Sequence, residues 1–414
     1  MPTTRARFLA AGAVALLATA CGTWTMAGQG ANRRAWDRDN TNITPANVTA
    51  LAPGWNGAVT GASEVIGDAN RVITTGPSVR GLDPGTGAQK WSRTASTAVL
   101  RDSDAFIATA GSACTLRRIT ASTGATTAST TFGGPAIPSN LGGMSLCAVT
   151  GTMLDSDSVV VVPWYYAAVT PAPNCTNAWG YDIGITAFDG TLAPVWSRHV
   201  SASGCGTTPS DLFTHASFGS ATRSNAHWLT THGDAVEALP TGCTGACAPS
   251  WTQAVTKPVA PLVALSKTSV AVIDSGGTVR AFDEAAGTPQ WTGATGAGAV
   301  APLAATNARV FAVTGSTISA FRAGGCSAAT CTPSWTAPLG GTATQRASAA
   351  GDVIYVGVAT NVVAFDVNGC GAATCAALTT KSVTNTVTGP PTPLGSRLLV
   401  PTTAAIRTFA LPAS

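Results

Sequence analysis

The chain has 414 residues, of which only 10% are Asp, Glu, Lys or Arg, and its formal net charge is +4. Soluble domains average roughly 25% charged residues; here Gly, Ala, Thr and Ser take their place. With no basic run and so small a charge, nucleic acid and other polyanions are excluded as expected partners.

Arg5 and Arg7 precede an apolar run, FLAAGAVALLATA, that ends just before Cys21. The run is too short to span a bilayer and has the layout of a secretion signal. Residues 1–20 are therefore expected to be cleaved, leaving Cys21 to carry diacylglycerol and anchor the chain to a cell membrane, on its extracytoplasmic side. Ala18-Thr19-Ala20 also fits an ordinary signal peptidase, and Ala18 stands where lipoprotein signals usually have leucine, so free secretion stays open. Residues 21–46 read as a lipidated linker and residues 47–414 as the folded body.

Beyond the linker, two phrases alternate. One is a polar turn followed by short apolar runs: GDANRVITT (67–75), RDSDAFIAT (101–109), LDSDSVVVV (154–162), TNARVFAV (306–313), AGDVIYVG (350–357) and LGSRLLVP (394–401). Runs of this kind bounded by Gly, Asp and Asn predict strands closed by tight turns. The other phrase places a small and a large apolar residue ahead of a turn and a tryptophan: GLDPGTGAQKW (81–91), AFDGTLAPVW (187–196) and AFDEAAGTPQW (281–291). A longer form inserts a cysteine pair: ALPTGCTGACAPSW (238–251), AFRAGGCSAATCTPSW (320–335) and AFDVNGCGAATC (364–375).

The apolar anchor of the second phrase falls at Leu82, Ile119, Phe188, Leu239, Phe282, Phe321, Phe365 and Phe409, mostly 37 to 51 residues apart. Four-strand repeats of about 40 to 50 residues predict an all-β propeller, here with eight blades, seven being the alternative, since one such sheet buries too little surface alone. The last unit ends after three strands. NVTALAPGW (47–55) is expected to supply the missing outer strand and close the ring, which removes two exposed sheet edges. Trp91, Trp196, Trp251, Trp291 and Trp335 are expected to dock neighbouring blades, a large flat side chain filling the wedge that widens toward the rim.

The gap from Ile119 to Phe188 is about twenty residues longer than its neighbours. The excess lies in WYYAAVTPAPNCTNAWGYDIG and reads as an excursion bearing Trp164, Tyr165, Tyr166, Trp179 and Tyr181. Aromatic density on a loop suits contact with a protein or carbohydrate, or a plug for one mouth of the channel.

Eleven cysteines are present, and setting Cys21 aside leaves ten, an even set for disulfides in an oxidising compartment. Cys243 with Cys247, Cys326 with Cys331, and Cys370 with Cys375 are spaced to bridge across a turn, each contributing about 2 kcal/mol. Zinc would need four ligands at one point, and no C-x-x-C redox pair occurs. Cys114, Cys147, Cys175 and Cys205 allow three pairings; Cys175 with Cys205 brackets one hairpin, which leaves Cys114 with Cys147. His199, His215, His227 and His232 are read as core or solvated histidines rather than a metal site. The D-x-D pairs at Asp102/Asp104 and Asp155/Asp157 are read as turns, not a Ca²⁺ loop.

Ala281, Gly287 and Trp291, at places one, seven and eleven of their phrase, resemble the tryptophan-docking motif of quinoprotein propellers, and NTNITPANVTALAPGW (40–55) resembles their entry strand. The resemblance covers essentially the whole mature chain. It implies an eight-bladed pyrroloquinoline-quinone-like propeller, in the secreted or lipoprotein branch that includes the propeller lipoproteins of β-barrel assembly. Quinone-dependent members bind Ca²⁺ through a Glu, an Asn and an Asp, use an Asp as base, and often carry a disulfide between adjacent cysteines. This chain has no adjacent cysteines and few acidic residues. No cofactor or metal is expected, and the expected function is that of a non-enzymatic, monomeric scaffold binding a protein or cell-envelope component. A PQQ-dependent dehydrogenase with Ca²⁺ and a carbohydrate- or ligand-binding sensor are the alternatives.

Overall fold

The computed structural model describes residues 23–133, 144–172, 175–205, 218–343 and 345–412. The expected signal sequence and Cys21 lie outside them. Eight sheets are present among these residues, each with a core of four antiparallel strands, and no helix is long and apolar enough to cross a membrane. Numbered along the chain, blade 1 spans 64–93, blade 2 97–132, blade 3 144–205, blade 4 222–254, blade 5 258–294, blade 6 304–338, blade 7 348–382 and blade 8 392–410. Eight, not seven, is therefore the number. Ala52–Gly57 pairs antiparallel with Ile406–Ala410 and supplies the outer strand of blade 8, the closure expected from the sequence.

Burial follows position in the blade. The second strands are sealed along nearly their whole length, as in Arg309–Thr314 and Val353–Val358, because neighbouring blades cover both faces. Such strands read as continuous Val, Ile and Ala rather than as alternation. The outer strands are half exposed and keep one buried anchor, usually the tryptophan: Trp91, Trp196, Trp251, Trp291 and Trp335 are all buried.

Two kinds of junction join the blades. At plain turns, the indole N–H of one blade donates to a carbonyl of the next: Trp91 to Ala121 at 2.8 Å and Trp251 to Glu284 at 2.9 Å. Trp55 in the closing strand does the same to Pro84 at 2.9 Å, a docking residue the sequence reading did not single out. At cysteine-bearing turns, Trp291 and Trp335 have unpartnered indole nitrogens. There the disulfide loop instead reaches back and adds a short parallel strand to the preceding blade. Gly245–Ala246 pairs with Trp196–Ser197, Thr330–Cys331 with Thr292–Gly293, and Thr374 with Thr336. These hooks cover sheet edges that would otherwise be open. In both kinds a left-handed glycine lies against the ring; a Cβ on Gly287 or Gly325 would sit 2.7 Å from Trp251 or Trp291. Only glycine combines that φ with that clearance.

The disulfides Cys243–Cys247, Cys326–Cys331, Cys370–Cys375 and Cys114–Cys147 are all formed. Cys205 is also disulfide-bonded; its expected partner Cys175 lies outside the residues whose side chains are described.

Candidate functional site

Two features depart from a plain ring: a strap across one mouth of the central channel and a tall sheet in blade 3. The strap is residues 23–37, the segment read from sequence as linker. Each innermost strand leaves one edge facing the axis, and backbone groups there need partners. The strap supplies them in rotation. Trp24 exchanges two hydrogen bonds with Gly67 of blade 1, and Thr25 O accepts from Leu100 N of blade 2. Further on, Ala31 O accepts from Arg223 N (blade 4), Asn32 O from Ala264 N (blade 5), Arg34 O from Ala305 N (blade 6) and Ala35 O from Ala349 N (blade 7). Trp36–Asp37 then runs parallel to Ala349–Ala350. Blade 3 is reached by a side chain. The wholly buried Arg33 donates Nη2 to Thr152 O (3.0 Å) and Met153 O (2.7 Å), Nε to Ala221 O of blade 4 (2.9 Å), and Nη1 to Ala27 O within the strap.

Above this floor the channel opens as a funnel of about 360 Å³ to which all eight blades contribute. Its wall is mainly hydroxyls and prolines, with one carboxylate, Glu64, and one guanidinium, Arg346. Burial pushes the Glu64 carboxyl up, opposed by the charges of Arg346 and Arg33. Burial, with Arg346 nearby, pulls the Arg33 pKa down to about 9, so Arg33 remains charged at neutral pH. None of these three residues was singled out from sequence, because each needs the ring to bring it to the axis.

Blade 3 corrects the expected excursion. It is not a loop: Val159–Ala172 and Cys175–Phe188 form one continuous hairpin, flanked by Pro194–Cys205. Trp164 and Tyr165 are buried in it, 5% and 4% exposed, so neither presents a free ring. Trp164 and half-buried Tyr166 pack with Cys114 and Cys147, whose disulfide ties the sheet to blade 2. Trp179 and Tyr181, also half-buried, lie on the opposite face with Val169 and Val200. Strands of 14 residues span about 46 Å against about 20 Å for the six-residue strands elsewhere. The excess rises on the funnel side.

The described histidines do not converge. His199 meets Asp182 at 3.0 Å, His227 meets Glu284 at 3.0 Å, and His232 meets Glu237 at 3.6 Å; His215 lies outside the described residues. No group of three or more His, Cys, Asp or Glu gathers as a metal site among the described residues. The Asp turns hold ion pairs, Asp155 with Arg101 and Asp157 with Arg223.

Residues 245–402 match the family described as outer membrane protein assembly factor BamB. No curated protein matches the chain in sequence. Among solved structures, BamB from Moraxella catarrhalis aligns with a TM-score of 0.55 at 16% identity, covering 88% of this chain and 98% of that one. The quinohemoprotein alcohol dehydrogenase from Comamonas testosteroni and ADHIIG from Pseudomonas putida HK5 each align with a TM-score of 0.65 at 11% identity, covering 95% of this chain and 81% of theirs. Such identities speak to fold alone. Among the described residues lining the funnel there is one carboxylate, Glu64, and no aromatic side chain on which a flat quinone ring could stack, so the wall is a poor match to pyrroloquinoline quinone with Ca²⁺. Repeat and docking geometry agree: the chain is an eight-bladed β-propeller, similar in fold to BamB, and its residues 245–402 match the BamB family.

Proposed function

We propose that the chain is a non-enzymatic, monomeric, extracytoplasmic scaffold, anchored by a lipid on Cys21 and binding a protein or cell-envelope component through blade 3. The observation that carries this reading is the blade 3 sheet, which stands about 26 Å beyond the other blades and carries half-buried Trp179 and Tyr181 on one face. Aromatic side chains on a rigid sheet supply contact area at small entropic cost. The strap leaves only residue 22 between Cys21 and the docked segment, so a lipid there would hold the strap face against the membrane and the tall sheet away from it. Free secretion remains the alternative fate of the same body.

A photoreactive amino acid at Tyr181 is expected to yield a discrete crosslinked adduct in intact cells. The same probe at Lys90, on the blade 1 rim, should yield none, and Trp179→Ser should abolish the adduct. Equal adducts from both positions, or none at Tyr181, would defeat the reading. Labelled fatty acid should enter the wild type and not Cys21→Ser. Dye reduction with alcohols or sugars after loading with pyrroloquinoline quinone and Ca²⁺ would instead support an enzyme.

A further inference from the structure

We propose that the axial funnel binds a small monoanionic oxyanion, a hydroxy carboxylate or a phosphate, on the guanidinium of Arg346. Arg346 lies two residues before the innermost strand of blade 7, lines the funnel wall and is only 5% exposed. Its Nε and Nη1 have no hydrogen-bond partner. A buried cationic donor left unpaired is costly, and a guanidinium forms strong charge-assisted hydrogen bonds to a carboxylate or phosphate.

The surroundings favour an anion over a second protein group. Glu64, the one carboxylate in the wall, acts on Arg346 through space and not by a hydrogen bond. Arg33 lies near enough to act on both. With Arg33 buried behind the wall, two guanidiniums stand near one carboxylate, an excess of positive charge beside the funnel. From the strap, Gly28 packs against the guanidinium: a Cβ there would lie 3.0 Å from both Nη1 and Nη2. The strap therefore fixes the arginine from below while the funnel stays open above.

Size and wall chemistry narrow the ligand. About 360 Å³ holds roughly a dozen water volumes, enough for a hydroxy acid or phosphate. Ser63, Thr75, Ser96, Thr97, Thr150 and Ser220 offer hydroxyls around it, and Pro261, Pro302 and Pro390 supply walls without donors. That is a polar, hydroxyl-reading site, unlike one for a flat aromatic quinone.

The test is calorimetric titration of the purified chain with lactate, with inorganic phosphate and with neutral glycerol at matched ionic strength. Saturable binding of one anion and none of glycerol is expected, the two anion arms distinguishing carboxylate from phosphate. Arg346→Gln should weaken it at least about tenfold, and Ser96→Tyr, which fills the funnel without touching Arg346, should abolish it. Arg93→Gln on the rim should change nothing. If Arg346→Gln fails to fold, the Ser96→Tyr comparison decides alone. Binding of neither anion, equal uptake of glycerol, or binding unchanged in Ser96→Tyr overturns the proposal.

Discussion

The carboxylate of Asp37, at the end of the strap, lies close enough to the backbone N–H of Thr23, at its beginning, to be stabilised by it, so the strap, having touched seven blades, returns on its own beginning. The chain thus builds a small ring inside the large one, and the burial that makes it has a titration signature.

Burial raises the Asp37 pKa to about 6, only partly offset by the backbone N–H groups of Asp39 and Asn40 and of Thr23, with the charge of Asp39 raising it further. The folded state holds this proton more tightly than the unfolded chain, whose value is about 3.9. Its stabilising effect is full below pH about 4 and is lost as pH rises through about 6. Asp37→Asn, which cannot ionise, should therefore be more stable than wild type at pH 7.5 by about 1–3 kcal/mol. The gap should close below pH 4. Melting curves across that range check it, and a gap independent of pH would refute the assignment.

Arg33 fills four carbonyls with a planar fork. Lysine has fewer donors and no fork, so Arg33→Lys should cost about 3 kcal/mol, and Arg33→Ala at least as much. Denaturant midpoints measure the loss. Limited proteolysis should then cut first within residues 23–37 while the blades stay intact.

The two junction types separate the two roles of tryptophan. Trp91→Phe removes a ring edge and a hydrogen bond to Ala121 O; Trp291→Phe removes only the ring edge, since its N–H is unpartnered. The first should cost about 1 kcal/mol more than the second, read as a difference in urea midpoints. Equal costs would mean that the indole bond contributes nothing to docking.

The Cys326–Cys331 loop holds the hook over Thr292–Gly293. Replacing both cysteines with serine should cost about 2 kcal/mol and uncover the blade 5 edge. Light scattering should show concentration-dependent self-association, absent in wild type, because an open edge strand pairs with others.

Acid should loosen the blade 4–5 junction. Glu284 accepts hydrogen bonds from Ser224, Ala226 and His227, and these hold its carboxyl below the usual range against the opposing cost of burial. That contribution is present above about pH 4.5 and lost as pH falls through the lower folded value. Glu284→Gln should flatten the acid limb of the stability profile, measured by tryptophan fluorescence.

What the sequence shows plainly is what repeats. The anchors from Leu82 to Phe409 and the docking tryptophans recur at intervals of roughly 40 to 50 residues, so each copy supports the others, and the incomplete last unit points to the closing strand near Trp55. The strap occurs once and has no period. Its signals were present, in Trp24, Met26, Trp36 and paired Arg33-Arg34, a segment too rich in apolar bulk for a solvated tether, but nothing local says which carbonyls it meets. Blade 3 misled differently: the aromatic run from Trp164 to Tyr181 read as a loop, whereas Val159–Ala172 and Cys175–Phe188 are paired strands. Arg346 was invisible because its meaning lies in Gly28 and Glu64, roughly three hundred residues away in sequence.

The strap also orders assembly in time. Residues 23–37 are the first part of the body to be synthesised, yet every seat they occupy is an edge that exists only once a blade has formed, the last of them near the far end of the chain. Arg33 can seat once blades 3 and 4 exist, whereas Arg34 to Asp37 find their backbone partners only on blades 6 and 7. The strap is therefore seated in full only when most of the circle is in place.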